Sequence, residues 1–251
     1  HRVAAFRISE LAECIADVRI CAFAHLGEMG DEFVKLNSAI VRMTPDDVLR
    51  GMEGTIPIIH NIREACPFVG YHGIRRGTAG PILSMSAAIR SWTGAVTETP
   101  RQRTTSAVAL SREVTVADAQ DLIRFLNLAR SAWGDEPQNY RLWTALNLIM
   151  CMWLYRKLVV DKNRGMRRYV VLNADIFRKC LMSVAADSHY VDWLVGRSMT
   201  ERNRAPCYGH LRNIFVKRLR IELHDQKPMM PQPAWATNTN SSKELWTSKT
   251  E

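Results

Sequence analysis

The run from Leu142 to Tyr155 limits the possible folds more than any other stretch of the chain. Only Thr144 and Asn147 interrupt it, and Arg141 and Arg156 flank it. It is shorter than the roughly 20 apolar residues that a membrane-spanning helix needs. Its apolar side chains cover most sides of a helix rather than one stripe, so no side is suited to water. The pattern predicts a long helix over Pro137 to Val160 in the middle of a helical protein.

The chain has 251 residues, enough to cover such a helix in one large domain or two small ones. Apolar residues make up 47% and charged residues 24%, the balance of a soluble globular protein. Cys14, Cys21, Cys66, Cys151, Cys180 and Cys207 form no Cys-x-x-Cys pair, which fits neither a zinc site nor a dense disulfide framework. Reduced, mostly buried thiols in a cytoplasmic protein are expected. No basic leader with an apolar segment and a cleavage site follows His1, and the chain is expected to be a fragment or processed product.

Periodicity predicts most of the remaining elements. Arg2 to Ala16 suits a helix, and the alternation of Val18, Ile20 and Ala22 suits a short strand ending at Phe23. A helix is expected from Asp31 to Ser38, after Gly27 and Gly30. Thr44 is an N-cap candidate, with Pro45 at the first helical position and Asp46 and Asp47 at the positive helix end. That helix should stop at Gly51 or Gly54, and Ile56 to Ala65 forms the next. Pro67 to Pro81 reads as a loop, and Ile82 to Trp92 as a helix. Thr115 and Asp118 have capping-box spacing ahead of a face made by Ala119, Leu122, Leu126, Ala129 and Trp133, which Gly134 ends. Arg164 to Arg168 reads as a basic turn, and Tyr169 to Leu172 as extended. Asn173 should cap a helix to Ala186, and Tyr190 to Val195 should form a short one. Pro206 should open the last helix, with Leu211, Phe215 and Leu219 inward and Lys217 and Arg220 outward.

The polar stretch Thr93 to Ser111 predicts a linker at 96–112, between an N-terminal unit at 1–95 and a helical domain at 113–225. From 226 to 251 Pro, Asn, Ser and Thr recur without an apolar period, which predicts a disordered tail.

The net charge of +9 is concentrated in one segment. From Arg156 to Arg220 there are 15 Lys or Arg and 5 acidic residues, a balance of +10, while the remainder balances at −1. Such a field favours a polyanion, most commonly nucleic acid. The candidate contacts are Arg197, Arg202, Arg204, Arg212, Lys217, Arg218 and Arg220, with Tyr208 and His210 among them. Pro206 at a helix start would leave neighbouring N–H groups free for phosphate. The competing reading is a solvated basic face on a helical bundle. Phosphate contacts would not by themselves identify a sequence.

The motifs of common enzymes are absent: there is no His-Glu-x-x-His, Gly-x-Ser-x-Gly, Walker-type loop or Gly-x-Gly-x-x-Gly. The seven histidines lack metal-ligand spacing, so no metal is expected. Gly70, Gly73, Gly77 and Gly80 with Arg75 and Arg76 could cradle a phosphate, but glycines so spaced also mark successive turns. The tryptophans at 92, 133, 143, 153 and 193 fall on apolar helical faces and read as core.

The start His1-Arg2-Val3-Ala4-Ala5 looks like the close of an Asp-Gly-Gln-His-Arg motif with its following helix. Asp31-Glu32-Phe33-Val34-Lys35-Leu36-Asn37-Ser38 resembles the next element of the same fold, an acidic-Phe-x-x-x-Asn-Ser helix end. Over residues 1 to about 55 the chain resembles the ParB/sulfiredoxin-like superfamily, in particular its Asp-Gly-Gln-His-Arg branch. The resemblance implies a truncated α+β unit with a phosphate or nucleotide pocket at His1, Arg2, Asn37 and Ser38. Arg2 would supply a bidentate phosphate contact, and Asn37 and Ser38 amide and hydroxyl groups. A capping role for Asn37 is the alternative. Partition proteins of that superfamily commonly carry Glu before the Asn; Leu36 stands here, which counts against a metal-bound nucleotide.

The expected fold is α+β and predominantly helical. The expected function is DNA binding of the partition or mobile-element type, by resemblance, with no membrane partner. The alternatives are a nucleotide-hydrolysing or nuclease-like enzyme and a protein–protein adaptor. A nucleotide is the only cofactor implied, by resemblance alone.

Overall fold

The computed structural model describes residues 22–32, 44–71, 81–93, 114–160, 172–223 and 230–233. They form a predominantly helical protein. The first named elements are α1 (Pro45–Met52), α2 (Pro57–Ala65) and a parallel strand pair, β1 (Val69–Gly70) and β2 (Leu83–Ser84). α3 (Met85–Thr93), α4 (Val116–Trp133), α5 (Ala145–Tyr155), α6 (Ala174–Ala186), α7 (Ser188–Trp193) and α8 (Glu201–Glu222) follow. Residues 26–32 are also helical.

α5 occupies the centre, with every residue except Ala145 and Trp153 buried. α3 and α8 pack against it, and α6 packs against α4 and α8. The continuous helix expected from Pro137 to Val160 is corrected at both ends. Pro137–Asn139 is a 3-10 turn. Further turns follow, with the N–H groups of Leu142 and Trp143 donating to the carbonyls of Asn139 and Tyr140 at 3.0 and 3.1 Å. Trp143 holds this entry in place. Its indole N–H donates to the Gly134 carbonyl at 2.9 Å, and its ring lies 5.3 Å from Phe68 and 5.3 Å from Trp133. At the far end Arg156–Val160 widens into a π-helix. There Arg156 Nη1 donates to the Trp92 carbonyl at 2.7 Å, with its guanidinium 4.8 Å from that indole. A pattern apolar on all sides cannot locate these ends, because they depend on partners from α3 and α4.

Both expected capping boxes form. Thr44 and Thr115 accept from the N–H groups of Asp47 and Asp118, whose carboxylates return to the two cap N–H groups. Gly134 ends α4 at φ 75, a conformation that L residues with a Cβ rarely adopt. Other expectations are corrected. The helix placed after Gly30 already runs through residues 26–32, where Gly30 is buried; a Cβ there would meet the Met52 side chain. Residues 83 and 84, read as the start of a helix, pair instead with Val69 and Gly70. Two-residue strands are too short to show a period.

One cluster of buried side chains runs from Val48 to Met230. Phe68 meets Trp143, Arg130 lies 5.3 Å over the Phe68 ring, and Arg156 binds Trp92. Described residues before and after 96–112 thus share one cluster of buried side chains. The linker itself, the helix expected at Arg2 to Ala16 and most of the strand ending at Phe23 lie outside the described residues. The disordered tail is corrected over 230–233, where Met230, Pro231 and Pro233 are buried and the Tyr208 hydroxyl donates to the Pro231 carbonyl. No helix among the described residues is long and apolar enough to cross a membrane.

Asp46 ties α1 to α3. Buried on the first turn of α1, it accepts from the Ser86 N–H at 2.8 Å, at the N-terminal end of α3. Burial pushes its carboxyl above the usual value, and the hydrogen bonds from Ser86 and Ser84 only partly oppose this. A folded-state value above the unfolded one gives stability that is full below about pH 4 and declines as pH rises through the raised value. Asp46→Asn keeps the acceptor and removes the buried charge. It should therefore match or exceed the wild type in melting temperature at pH 7 and fall behind in acid. Asp46→Ala should lose about 1 kcal/mol, the usual cost of an emptied cap. Thermal melts from about pH 4 to 7 check both, and a constant difference between wild type and Asp46→Asn would contradict the assignment.

Candidate nucleic-acid interface

The basic segment converges on α8, whose geometry decides which cations can reach a partner. The helix starts at Glu201 behind an N-cap at Thr200, so Pro206 lies inside it and does not open it. The phosphate site expected from free N–H groups beside Pro206 is thereby withdrawn, since residues 207–209 belong to the helical ladder. Proline instead removes the bond that the Arg202 carbonyl would have accepted. Both Arg202 and Pro206 are exposed, so water can satisfy that carbonyl.

Cys207, Leu211, Phe215 and Leu219 are fully buried and define the inner face of α8. At 100° per residue, Arg202 and Arg220 point opposite to Leu211, about 27 Å apart along the axis. Arg212 and Lys217 lie on the two flanks between those directions. All four are exposed. None of them forms an ion pair with a described residue.

The other basic candidates differ. Arg204 and Arg218 fall on the inward side and are half-buried, each with its Nε enclosed and without a hydrogen-bond partner among the described residues. Arg218 Nη2 pairs with Glu222 at 2.7 Å, and Lys179 Nζ on α6 reaches the same carboxylate at 2.8 Å. Arg178 pairs with Asp175 at 2.9 Å. These contacts hold the Asp175 and Glu222 carboxyls below their usual range. The segment's excess of charge is thus divided between a paired α6–α8 seam and an outer side of α8 whose cations form no ion pair with the described residues.

Arg197 belongs to a distinct cluster. Its guanidinium lies 5.3 Å over the Trp193 ring, and the other side chains around that indole are Tyr190, stacked at 6.1 Å, and His210 at 4.9 Å. His189 sits 5.8 Å from His210. Burial is the main cause that pushes His210 below the ordinary histidine value; His189 adds to the shift and Asp187 opposes it. Sequence reasoning singles out Arg197 and His210, misses His189 and reads Trp193 only as core. The available signal is the four-residue spacing of His189, Trp193 and Arg197, which stacks side chains at the end of a short helix. Tyr208, expected to contact sugar or base, is buried against Trp153 with its hydroxyl bonded to Pro231.

His1, Arg2, Asn37, Ser38, Arg75 and Arg76 lie outside the described residues, as does the basic turn at Arg164 to Arg168. Cys66, Cys151, Cys180 and Cys207 are free and buried, and burial pushes the Cys66 thiol up to about 11 and those of Cys180 and Cys207 up to about 12. They are therefore protonated and unreactive at neutral pH. No group of three or more potential metal ligands occurs among the described residues. No family model, curated protein or solved structure matches the chain.

Proposed function

We propose that the protein binds nucleic acid, DNA in the first place, through phosphate contacts from Arg197, Arg202, Arg212, Lys217 and Arg220. The observation that carries this reading is the sorting of charge on α8. Arg218 and its neighbours on α6 are matched to Glu222 and Asp175, whereas the outer cations have no carboxylate among the described residues. A solvated face kept for solubility alone has no reason to separate paired from unpaired cations in this way. Five phosphate contacts release about as many counterions. Affinity for a mixed-sequence duplex should then fall roughly 10²- to 10³-fold between about 50 and 200 mM salt, at similar strength for unrelated sequences. Fluorescence anisotropy with a labelled duplex measures this directly. Absence of binding at low salt would sink the proposal.

The narrower assignment to partition or mobile-element proteins is supported by the resemblance at His1 to Ala5 and Asp31 to Ser38. It would add a phosphate or nucleotide pocket at Arg2, Asn37 and Ser38. Nucleotide protection of the protein from thermal unfolding, lost in Arg2→Ala and Asn37→Ala, tests that part separately.

A further inference from the structure

The four described histidines divide into two kinds. His25, just ahead of the helical residues 26–32, faces Glu28 at 3.7 Å, and His60 faces Glu64 on its own helix at 3.6 Å. His189 and His210 face each other. The charged and polar groups around this pair each have another partner as well. On α7, Asp187 accepts from the Tyr190 N–H at 2.9 Å as the helix cap, and Asp192 is held by Arg141 from the turn before α5 at 2.9 Å. The Tyr190 hydroxyl, at the interface with α5, is bonded to Asn147 and Cys207. On the segment after α7, Arg197 lies against Trp193, the indole that also contacts His210. Along α8, Lys217 follows His210 by two turns on the same side, about 10 Å away. Two imidazoles and two cations therefore share one side of the α7–α8 junction, and the carboxylate that acts on His210, Asp187, is already engaged as the α7 cap. Charging His210 there is opposed by burial and by the neighbouring His189 ring.

We propose that polyanion binding at this junction is proton-linked: a phosphate docked between Arg197 and Lys217 draws protons onto His189 and His210, which then become part of the contact. This rests on the nucleic-acid reading above and specifies how that same surface is regulated. Phosphate adds negative charge to that of Asp187, and so favours the charged form of His210 that burial and His189 oppose. The depression of His210 by burial and by His189 is the unbound half of this linkage. Binding and protonation then favour each other reciprocally. Each added positive charge in contact with phosphate releases about one further counterion.

The probe is a labelled mixed-sequence duplex of about 20 base pairs, titrated with the full chain at several salt concentrations near pH 8 and pH 6. The salt slope should steepen by one to two, and affinity near 100 mM salt should rise about tenfold towards pH 6. His189→Gln/His210→Gln should lose that gain. Isothermal calorimetry of the wild type in buffers of different ionisation enthalpy gives a second readout that needs no variant, and should show net proton uptake on binding near pH 6. Binding with a pH-independent slope and no proton uptake overturns this inference and leaves the nucleic-acid reading intact. A gain retained in the double variant also overturns it, by placing the titrating groups elsewhere. Absence of binding at both pH values overturns the two together.

Discussion

Replacing Asn147 by Leu is expected to destabilise the protein by about 3 kcal/mol, although the two side chains are similar in size. Asn147 is fully buried on α5. Its amide donates to the Leu142 carbonyl at 2.6 Å, and its Oδ1 accepts from the Tyr190 hydroxyl at 2.8 Å and from the Cys151 thiol at 3.5 Å. Leucine leaves the Leu142 carbonyl without that donor, and the Tyr190 hydroxyl with only Cys207 Sγ at 3.2 Å. Each buried polar group so orphaned costs about 1–3 kcal/mol. Tyr190→Phe removes only one member and should cost about 1 kcal/mol. The double variant should be more stable than the sum of the two single losses by about 1 kcal/mol, because a phenyl ring at position 190 has no hydroxyl left to orphan. Burial pushes Tyr190 and Cys151 well above their ordinary values and Cys207 up to about 12. The network thus stays protonated, and urea unfolding should return the same losses near pH 6 and pH 8. Strict additivity would mean that the hydroxyl and the amide act independently.

That network also shows where a sequence can be read and where it cannot. Thr44, Thr115 and Asn173 act as the helix caps that their spacing predicts, since a cap is a local contract between a side chain and an N–H two or three residues away. The inner face of α8 was legible for a similar reason: Leu211, Phe215 and Leu219 recur at helical spacing. Asn147 was visible only as an interruption in an apolar run, because its partners come from residues 142, 151 and 190. The same limit explains Pro206, which resembled a helix start although Thr200 and Glu201 had begun the helix a turn earlier. It also explains the charge count: the four-residue spacing of Arg218 and Glu222 along α8 was open to reading, but the reach of Lys179 from α6 to the same carboxylate was not. Pairing across helices is a property of packing, and no spacing along one helix encodes it. The resemblance at the first forty residues falls almost entirely outside the described elements, so the α5–α8 assembly, rather than that motif, carries the functional argument.

The exposed and paired cations give the interface its sharpest test. Changing Arg202, Arg212, Lys217 and Arg220 together to Gln is expected to weaken duplex binding about 4 × 10³-fold near 100 mM salt and to reduce the salt slope by three to four. The size follows from counterion release, about eightfold per contact at that salt concentration. None of the four has an ion-pair partner among the described residues, and all lie on the surface, so the unfolding free energy should stay within about 0.5 kcal/mol of the wild type. Arg218→Gln supplies the opposite pattern. Removing this half-buried cation leaves Glu222 to Lys179 alone, which should lower stability by up to about 1 kcal/mol and change affinity little. Loss of binding in the quadruple variant with an unchanged unfolding midpoint assigns the contact to the outer side of α8. Binding equal to the wild type would remove α8 from the interface, because no remaining cation on its exposed side could supply the salt dependence.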